Sequence, residues 1–229
     1  MAVPKSHFLV TETEYLERER AAQERHEYLD GYVYAMAGES PEHGEICVNL
    51  AGILHPQLRG TPCRARIANS KIRSGPSAAF ARNRKGMFSY PDLFVICGEL
   101  EFYDEQRDVI LNPTVIFEVL SNSTESFDRG EKFLRYQIWN LSLQDYVLIS
   151  QTSPTVEHFS RQSDGSWTYR VFQGVSASFA IKSIKCTFKL ADIYERVTFP
   201  PEEQTKPAPK KKSVKSAKTK SVTQSRRKK

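Results

Sequence analysis

Two short stretches of this chain are apolar almost throughout, and each is interrupted by one acid: Tyr90–Cys97 (YPDLFVIC) holds Asp92 and Thr114–Leu120 (TVIFEVL) holds Glu118. Apolar runs of this length without polar alternation are strands covered on both faces, which requires a sheet with helices on either side. A carboxylate inside such a strand costs several kcal/mol unless it is paired or takes a proton. Two of them in neighbouring strands call for a shared partner. A divalent ion, held by one or two carboxylates together with waters and phosphate oxygens, is the partner that suits an Asp and a Glu side by side at a sheet edge.

The rest of the chain supplies the covering elements. TETEYLERERAAQERH (Thr11–His26) is a run of strong helix formers with Thr11 placed for a capping box with Glu14, and reads as a polar helix with little to bury. Glu27–Ala37 sets Asp-Gly between aromatic and β-branched residues, the signature of a hairpin. From Ser40, a cap-like Ser, Pro41 at the first helical position and Ile46, Leu50, Ile53 and Leu54 at helical spacing predict a second, amphipathic helix. Cys63–Ile72 reads as a strand. Ser121, Ser123 and Thr124 offer caps to a helix over Glu125–Trp139, with Phe127, Phe133, Leu134 and Ile138 as its apolar contacts. Further strands are expected at Asp145–Ser150, Thr155–Ser160, Trp167–Phe172 and Lys185–Phe188, and a short closing helix at Leu190–Val197.

Charge divides the chain. Eleven of the 33 Lys and Arg residues lie from Lys206 to Lys229, a segment without acids or aromatics, which leaves 22 basic against 27 acidic residues and a net charge of −5 before it. Residues 1–200 are therefore read as an acidic folded domain and 201–229 as a disordered basic tail, able to hold phosphate backbones without specificity. The high isoelectric point belongs to the tail and does not indicate a basic binding face. The four cysteines, Cys47, Cys63, Cys97 and Cys186, show neither CxxC pairing nor zinc-finger spacing. No signal-like or membrane-length apolar stretch is present, so a reduced, cytoplasmic chain with no membrane association is expected.

In the helix behind Glu118, Asp128, Lys132 and Tyr136 fall at i, i+4 and i+8 and share one face. The short Ser-rich turn folds that face back toward the two acids, where the Lys132 ammonium can position water and neutralise developing charge. The plainer expectation for Lys132 is an i, i+4 pair with Asp128. His43, near a helix N-terminus, suits water or phosphate, or simply a terminal hydrogen bond. Arg64, Arg66, Lys71, Arg73, Arg82, Arg84 and Lys85 cluster between Cys63 and Tyr90, and the first four are the candidates for contacts to a nucleic-acid backbone.

YLDG (Tyr28–Gly31), MAGESPEH (Met36–His43), YPDLFVIC and EVLSNSTESFDRGEKFLRY (Glu118–Tyr136) together resemble the PD-(D/E)XK nuclease superfamily, and within it the Uma-two branch of restriction endonucleases, over roughly Glu14–Arg196. The resemblance implies an α/β restriction-endonuclease-like core, a four-stranded mixed sheet between two helices. An N-terminal helix and hairpin and C-terminal antiparallel strands are added to it. It implies a DNA endonuclease dependent on Mg²⁺ or Mn²⁺, with Asp92, Glu118 and the Val119 carbonyl as metal ligands, His43 assisting, and a homodimer. Where the superfamily usually has a lysine two residues after the glutamate, this chain has Leu120, and the role passes to Lys132, which matches the Uma-two pattern. Two alternatives stand beside this: a nuclease-fold protein that binds nucleic acid or a protein partner without cutting, and a scaffold whose DNA affinity resides in the tail.

Overall fold

The computed structural model describes residues 9–36, 38–67, 69–76 and 86–199. At the start of the chain the local signals hold. Thr11 caps α1 (Glu12–Ala21) and Glu14 returns the bond to the Thr11 amide. Asp30 and Gly31 both take positive φ, 49° and 96°, as the tight turn joining β1 (His26–Leu29) to β2 (Tyr32–Ala35) demands. Ser40 caps α2 (Pro41–Leu58) through the His43 amide, and Ile46, Leu50, Leu54 and Leu58, one turn apart, are buried.

The expected single strand over Cys63–Ile72 is two, β3 (Cys63–Ile67) and β4 (Lys71–Ser74), separated by a turn. The strand expected over the YPDLFVIC run starts three residues late, at Leu93. β5 (Met87–Ser89) ends before Tyr90-Pro91-Asp92, and β6 (Leu93–Cys97) starts after it. Proline has no N–H for a ladder and holds the preceding residue extended, so it fits the passage from one sheet to the next. After β7 (Val109–Ile110) come β8 (Val115–Leu120), α3 (Glu125–Phe127), a π-helical turn (Asp128–Lys132), α4 (Phe133–Trp139) and β9 (Asp145–Ser150). β10 (Thr155–Arg161), β11 (Trp167–Gln173), β12 (Ser178–Ile181), β13 (Cys186–Lys189) and α5 (Leu190–Ile193) complete the described chain.

The central sheet has the order β11-β10-β9-β8-β6-β3, with β8 and β9 parallel and the other pairs antiparallel. Its β3-β6-β8-β9 part is the expected four-stranded mixed sheet. Strand periodicity assigns its faces: Val115, Phe117 and Val119 pack with Ile46, Leu50 and Leu54 of α2, whereas Ile116 and Leu120 pack with Phe133 and Tyr136 of α4. A second sheet, β2-β1-β5-β4-β7, joins the hairpin to the segment before Asp92, and β12 pairs with β13.

Four further expectations need correction. Helix α1 is not simply polar: Tyr15 and Leu16 are buried, as are Glu12, paired with Arg73 at 3.0 Å, and Glu19, which accepts from the Tyr90 hydroxyl at 2.7 Å. Leu134 and Ile138 are exposed, because Phe133 and Tyr136 are the residues that α4 turns to the core after the π-helical turn. Lys71 and Arg73 do not join Arg64 and Arg66 on one basic face. They lie buried in the second sheet, paired with Asp108 and Glu12, while Arg64 and Arg66 are exposed on β3. The cysteines are not all reduced either: Cys63 and Cys97, direct partners in the β3–β6 register, form a disulfide.

Arg82, Arg84, Lys85 and the basic tail lie outside the described residues. Among the described residues no helix is long and apolar enough to cross a membrane.

Asp108 ties α1 to the second sheet, accepting from Arg20 at 2.7 Å and pairing with Lys71 at 2.8 Å. Partial burial pushes its carboxyl up, but the hydrogen bonds and charges of Arg20 and Lys71 prevail and hold it at about 2. A depressed carboxyl contributes stability that is complete above the unfolded value, about 3.9, and is lost as pH falls toward 2. Asp108→Asn is therefore expected to lower the urea midpoint at neutral pH and to flatten the loss of stability between about pH 4 and pH 2. An acid limb of unchanged steepness in the variant would refute this.

Candidate active site

The end of the β6–β8 ladder creates the site. The last pair is Leu93 with Phe117. Beyond it the strands part, and the Asp92 side chain takes the place of a strand, its Oδ2 accepting the Val119 N–H at 2.7 Å. The N–H and C=O of one strand residue point to the same side, so the Val119 carbonyl is offered at this edge too. Asp92 Oδ1 lies 3.0 Å from His43 Nε2. Burial pushes the His43 imidazole down, yet the hydrogen bond and charge of Asp92, with Glu39 and Asp128 nearby, hold it above its ordinary value.

Glu118, next along β8, turns to the face covered by α3, the π-helical turn and α4. Ser121 starts that helical stretch, its carbonyl accepting the Thr124 and Glu125 amides. The π-helical turn holds Asp128 and Lys132 at its two ends, both buried, so the expected polar stripe points inward instead of into solvent. π-turns of this kind are frequent at functional sites. Lys132 Nζ lies 2.9 Å from Glu118 Oε1, 3.2 Å from Asp128 Oδ1 and 3.6 Å from Glu27 Oε1. The pairing with Asp128 exists, but as one side of a buried cluster and not as a surface pair.

Electrostatics within the cluster are unbalanced. Burial, then the neighbouring Asp128 and Asp92 charges, push the Glu118 carboxyl well up against the opposing pull of Lys132. Lys132 is held well above its ordinary value: burial acts downward, but Glu118, Glu27 and Asp128 outweigh it. Three carboxylates, Glu27, Glu118 and Asp128, thus surround one lysine, and the Asp92 charge acts on Glu118 as well. Glu118 Oε1 is buried and faces the Lys132 ammonium at 2.9 Å, so a carboxylate oxygen with two lone pairs has at most one donor among the described residues. Such an atom is costly unless something completes it. Hard oxygen donors, an excess of negative charge and a buried carboxylate oxygen with a lone pair to spare are what a divalent cation would complete, and Asp92 and Glu118 fit that role.

The chain matches the Uma2 family, described as "Putative restriction endonuclease", over residues 12–187. It belongs to the Uma2 family. The match contains every residue of the cluster. Two "Uncharacterized" proteins of Synechocystis sp. are similar to it along most of their lengths: slr1290 is 36% identical over 186 residues, covering 81% of this chain and 92% of that one. The second, sll1609, is 30% identical over 177 residues, covering 77% and 95%. A crystal structure titled as a putative nuclease belonging to DUF820 from Anabaena variabilis superposes with a TM-score of 0.63 at 16% identity, covering 81% of this chain and 97% of that one. It shares the restriction-endonuclease-like fold.

In this Uma2 protein the structure brings Asp92, Glu118, Lys132 and His43 to one place. Leu120 is buried among the apolar contacts of α4, away from any role with water. Arg64 and Arg66 stand on β3, the edge strand of the same sheet. Two neighbours of the cluster were not singled out from sequence. Glu27 arrives through the β1–β5 pairing, where its Oε1 accepts the Tyr90 N–H at 3.2 Å; the one clue was an acid inside an aromatic strand. Cys47, one turn after His43 on α2, has its thiol pushed up by burial and by the Asp92, Glu39 and Glu118 carboxylates.

Proposed function

We propose that this chain is an endonuclease that hydrolyses phosphodiester bonds in DNA, with Asp92, Glu118 and the Val119 carbonyl as the ligands of a Mg²⁺ or Mn²⁺ ion. The observation that carries this reading is the buried Glu118 carboxylate, which lies beside both Asp92 and Lys132 and has an oxygen that faces the Lys132 ammonium alone. A divalent ion held there supplies Lewis-acid stabilisation and a more acidic bound water.

The chain's own residues do the rest. Val119 N–H fixes one Asp92 oxygen, which leaves the other toward the site and His43. Lys132, held charged and oriented by Asp128 and Glu27, presents a fixed cation to the attacking water and to the charge that develops on the phosphate oxygens. Because its position is set by the buried Asp128 and the half-buried Glu27 before substrate arrives, little reorganisation is required at the moment of reaction. The exposed Arg64 and Arg66 are placed to neutralise backbone phosphates. A homodimer, with one site for each strand, completes the reading.

The test is cleavage of supercoiled plasmid by the full chain with Mg²⁺, with chelator, and with Asp92→Ala. Nicking or linearisation is expected only for the wild type with the metal. Equal cleavage by the variant, or none by either protein, would overturn the proposal.

A further inference from the structure

On the α2 side of the site, His43, Cys47 and Asp92 bring one imidazole nitrogen, one thiol sulfur and one carboxylate oxygen within 4.8 Å of one another. We propose that these three side chains form a site for a borderline-soft divalent ion, of the zinc and cobalt class. The site shares Asp92 and His43 with the nuclease reading, adds Cys47, and does not depend on Glu118 or Lys132.

The donor set decides the class. Mg²⁺ takes oxygen ligands and keeps its waters, so an imidazole and a thiolate contribute little to it. Zinc-like ions take nitrogen, sulfur and oxygen together, and three protein ligands leave the fourth tetrahedral position open to water or to a phosphate oxygen.

The fold prearranges the donors. His43 and Cys47 stand one turn apart on α2, a helix fixed at its start by the Ser40 cap and along its length by the buried Ile46, Leu50 and Leu54. Asp92 cannot swing away, because Val119 N–H holds its Oδ2, and Oδ1 already touches His43 Nε2 at 3.0 Å. A backbone hydrogen bond to the non-ligating oxygen is the kind of outer contact that orients metal-binding carboxylates. On binding, the Cys47 S–H bond breaks, a sulfur–metal bond forms and the proton passes to solvent.

The remaining sulfur chemistry of the chain leaves a clear signal. Cys63 and Cys97 are joined to each other and Cys186 is buried in the core, so Cys47 is the one half-exposed free thiol among the described residues. Titration of the oxidised full chain with Co²⁺ alone is expected to produce a near-ultraviolet thiolate-to-cobalt charge-transfer band that saturates at one equivalent and is bleached by Zn²⁺. The band should persist in Cys186→Ser and vanish in Cys47→Ser. In His43→Ala the affinity should fall by at least the roughly 10–100-fold typical of losing even an outer contact. No band, a band that survives Cys47→Ser, or cobalt held with only ligand-field absorption would each overturn this inference, and none of these outcomes bears on plasmid cleavage. A band of the expected kind in a chain that fails to cleave with Mg²⁺ would instead overturn the nuclease reading and leave this site standing.

Discussion

Replacing Lys132 with methionine is expected to lower stability by about 3–5 kcal/mol at neutral pH and cleavage by about 10²–10³-fold. The size of the first effect follows from what is left behind. Methionine fills much of the lysine's volume, so packing changes little, but Glu118, Asp128 and Glu27 lose the cation that lies within 3.6 Å of all three. The buried carboxylates then repel one another, and Glu118 gains a proton more readily than before. This fixes the sign of the pH dependence. A carboxyl raised in the folded state binds a proton that the unfolded chain, with its value near 4.3, has already released. Stability of the variant must therefore fall as pH rises from there through the folded value.

Combination with Glu118→Gln separates packing from charge, since the glutamine removes the carboxylate most exposed to the loss. The double variant is expected to be less destabilised than the sum of the two single ones. Additive losses in urea unfolding, or a Lys132→Met chain as stable at pH 8 as at pH 5, would show that the lysine is not the counter-charge of the cluster. Full cleavage by a folded Lys132→Met chain would remove it from the chemistry.

The parts of this cluster that could be read from sequence were those written as local contradictions. An acid inside an apolar strand stands out because burial makes it expensive, and both Asp92 and Glu118 were found in that way. The Thr11 capping box, the Asp30-Gly31 hairpin and the start of α2 are local chemistry and were legible for the same reason. What could not be read depends on contacts distant in sequence. Glu27 reaches Lys132 only because β1 pairs with β5, and Lys71 and Arg73 are buried because Asp108 and Glu12 come from elsewhere to meet them. The π-helical turn has no signature in DRGEK, yet it sets which side of α4 packs inward and thereby exposes Leu134 and Ile138. Spacing rules for cysteines describe partners close in sequence and pass over a pair joined across a register.

That pair gives the second large expectation. Reduction of Cys63–Cys97, or its replacement by two serines, is expected to cost about 2–4 kcal/mol and to lower Tm by roughly 4–16 °C for a domain of this size. The bond closes a loop with a sequence separation of 34, and in the chain-entropy account most of its effect lies in the unfolded chain, which gains freedom when the loop opens. The folded chain has less to lose, because the β3–β6 ladder already holds the two residues opposite each other. Thiol titration of the unreduced, denatured chain should count two free thiols, Cys47 and Cys186, and four after reduction. Activity should behave differently. Cys97 ends β6, whereas Asp92 precedes its first residue, so about five strand residues and some 17 Å of ordered strand separate the bond from the site. Cleavage per folded molecule is therefore expected to survive reduction even as the melting temperature falls. Unchanged Tm on reduction would contradict the assigned bond, and a parallel loss of cleavage well below the new Tm would mean that β6 transmits strain from Cys97 to Asp92.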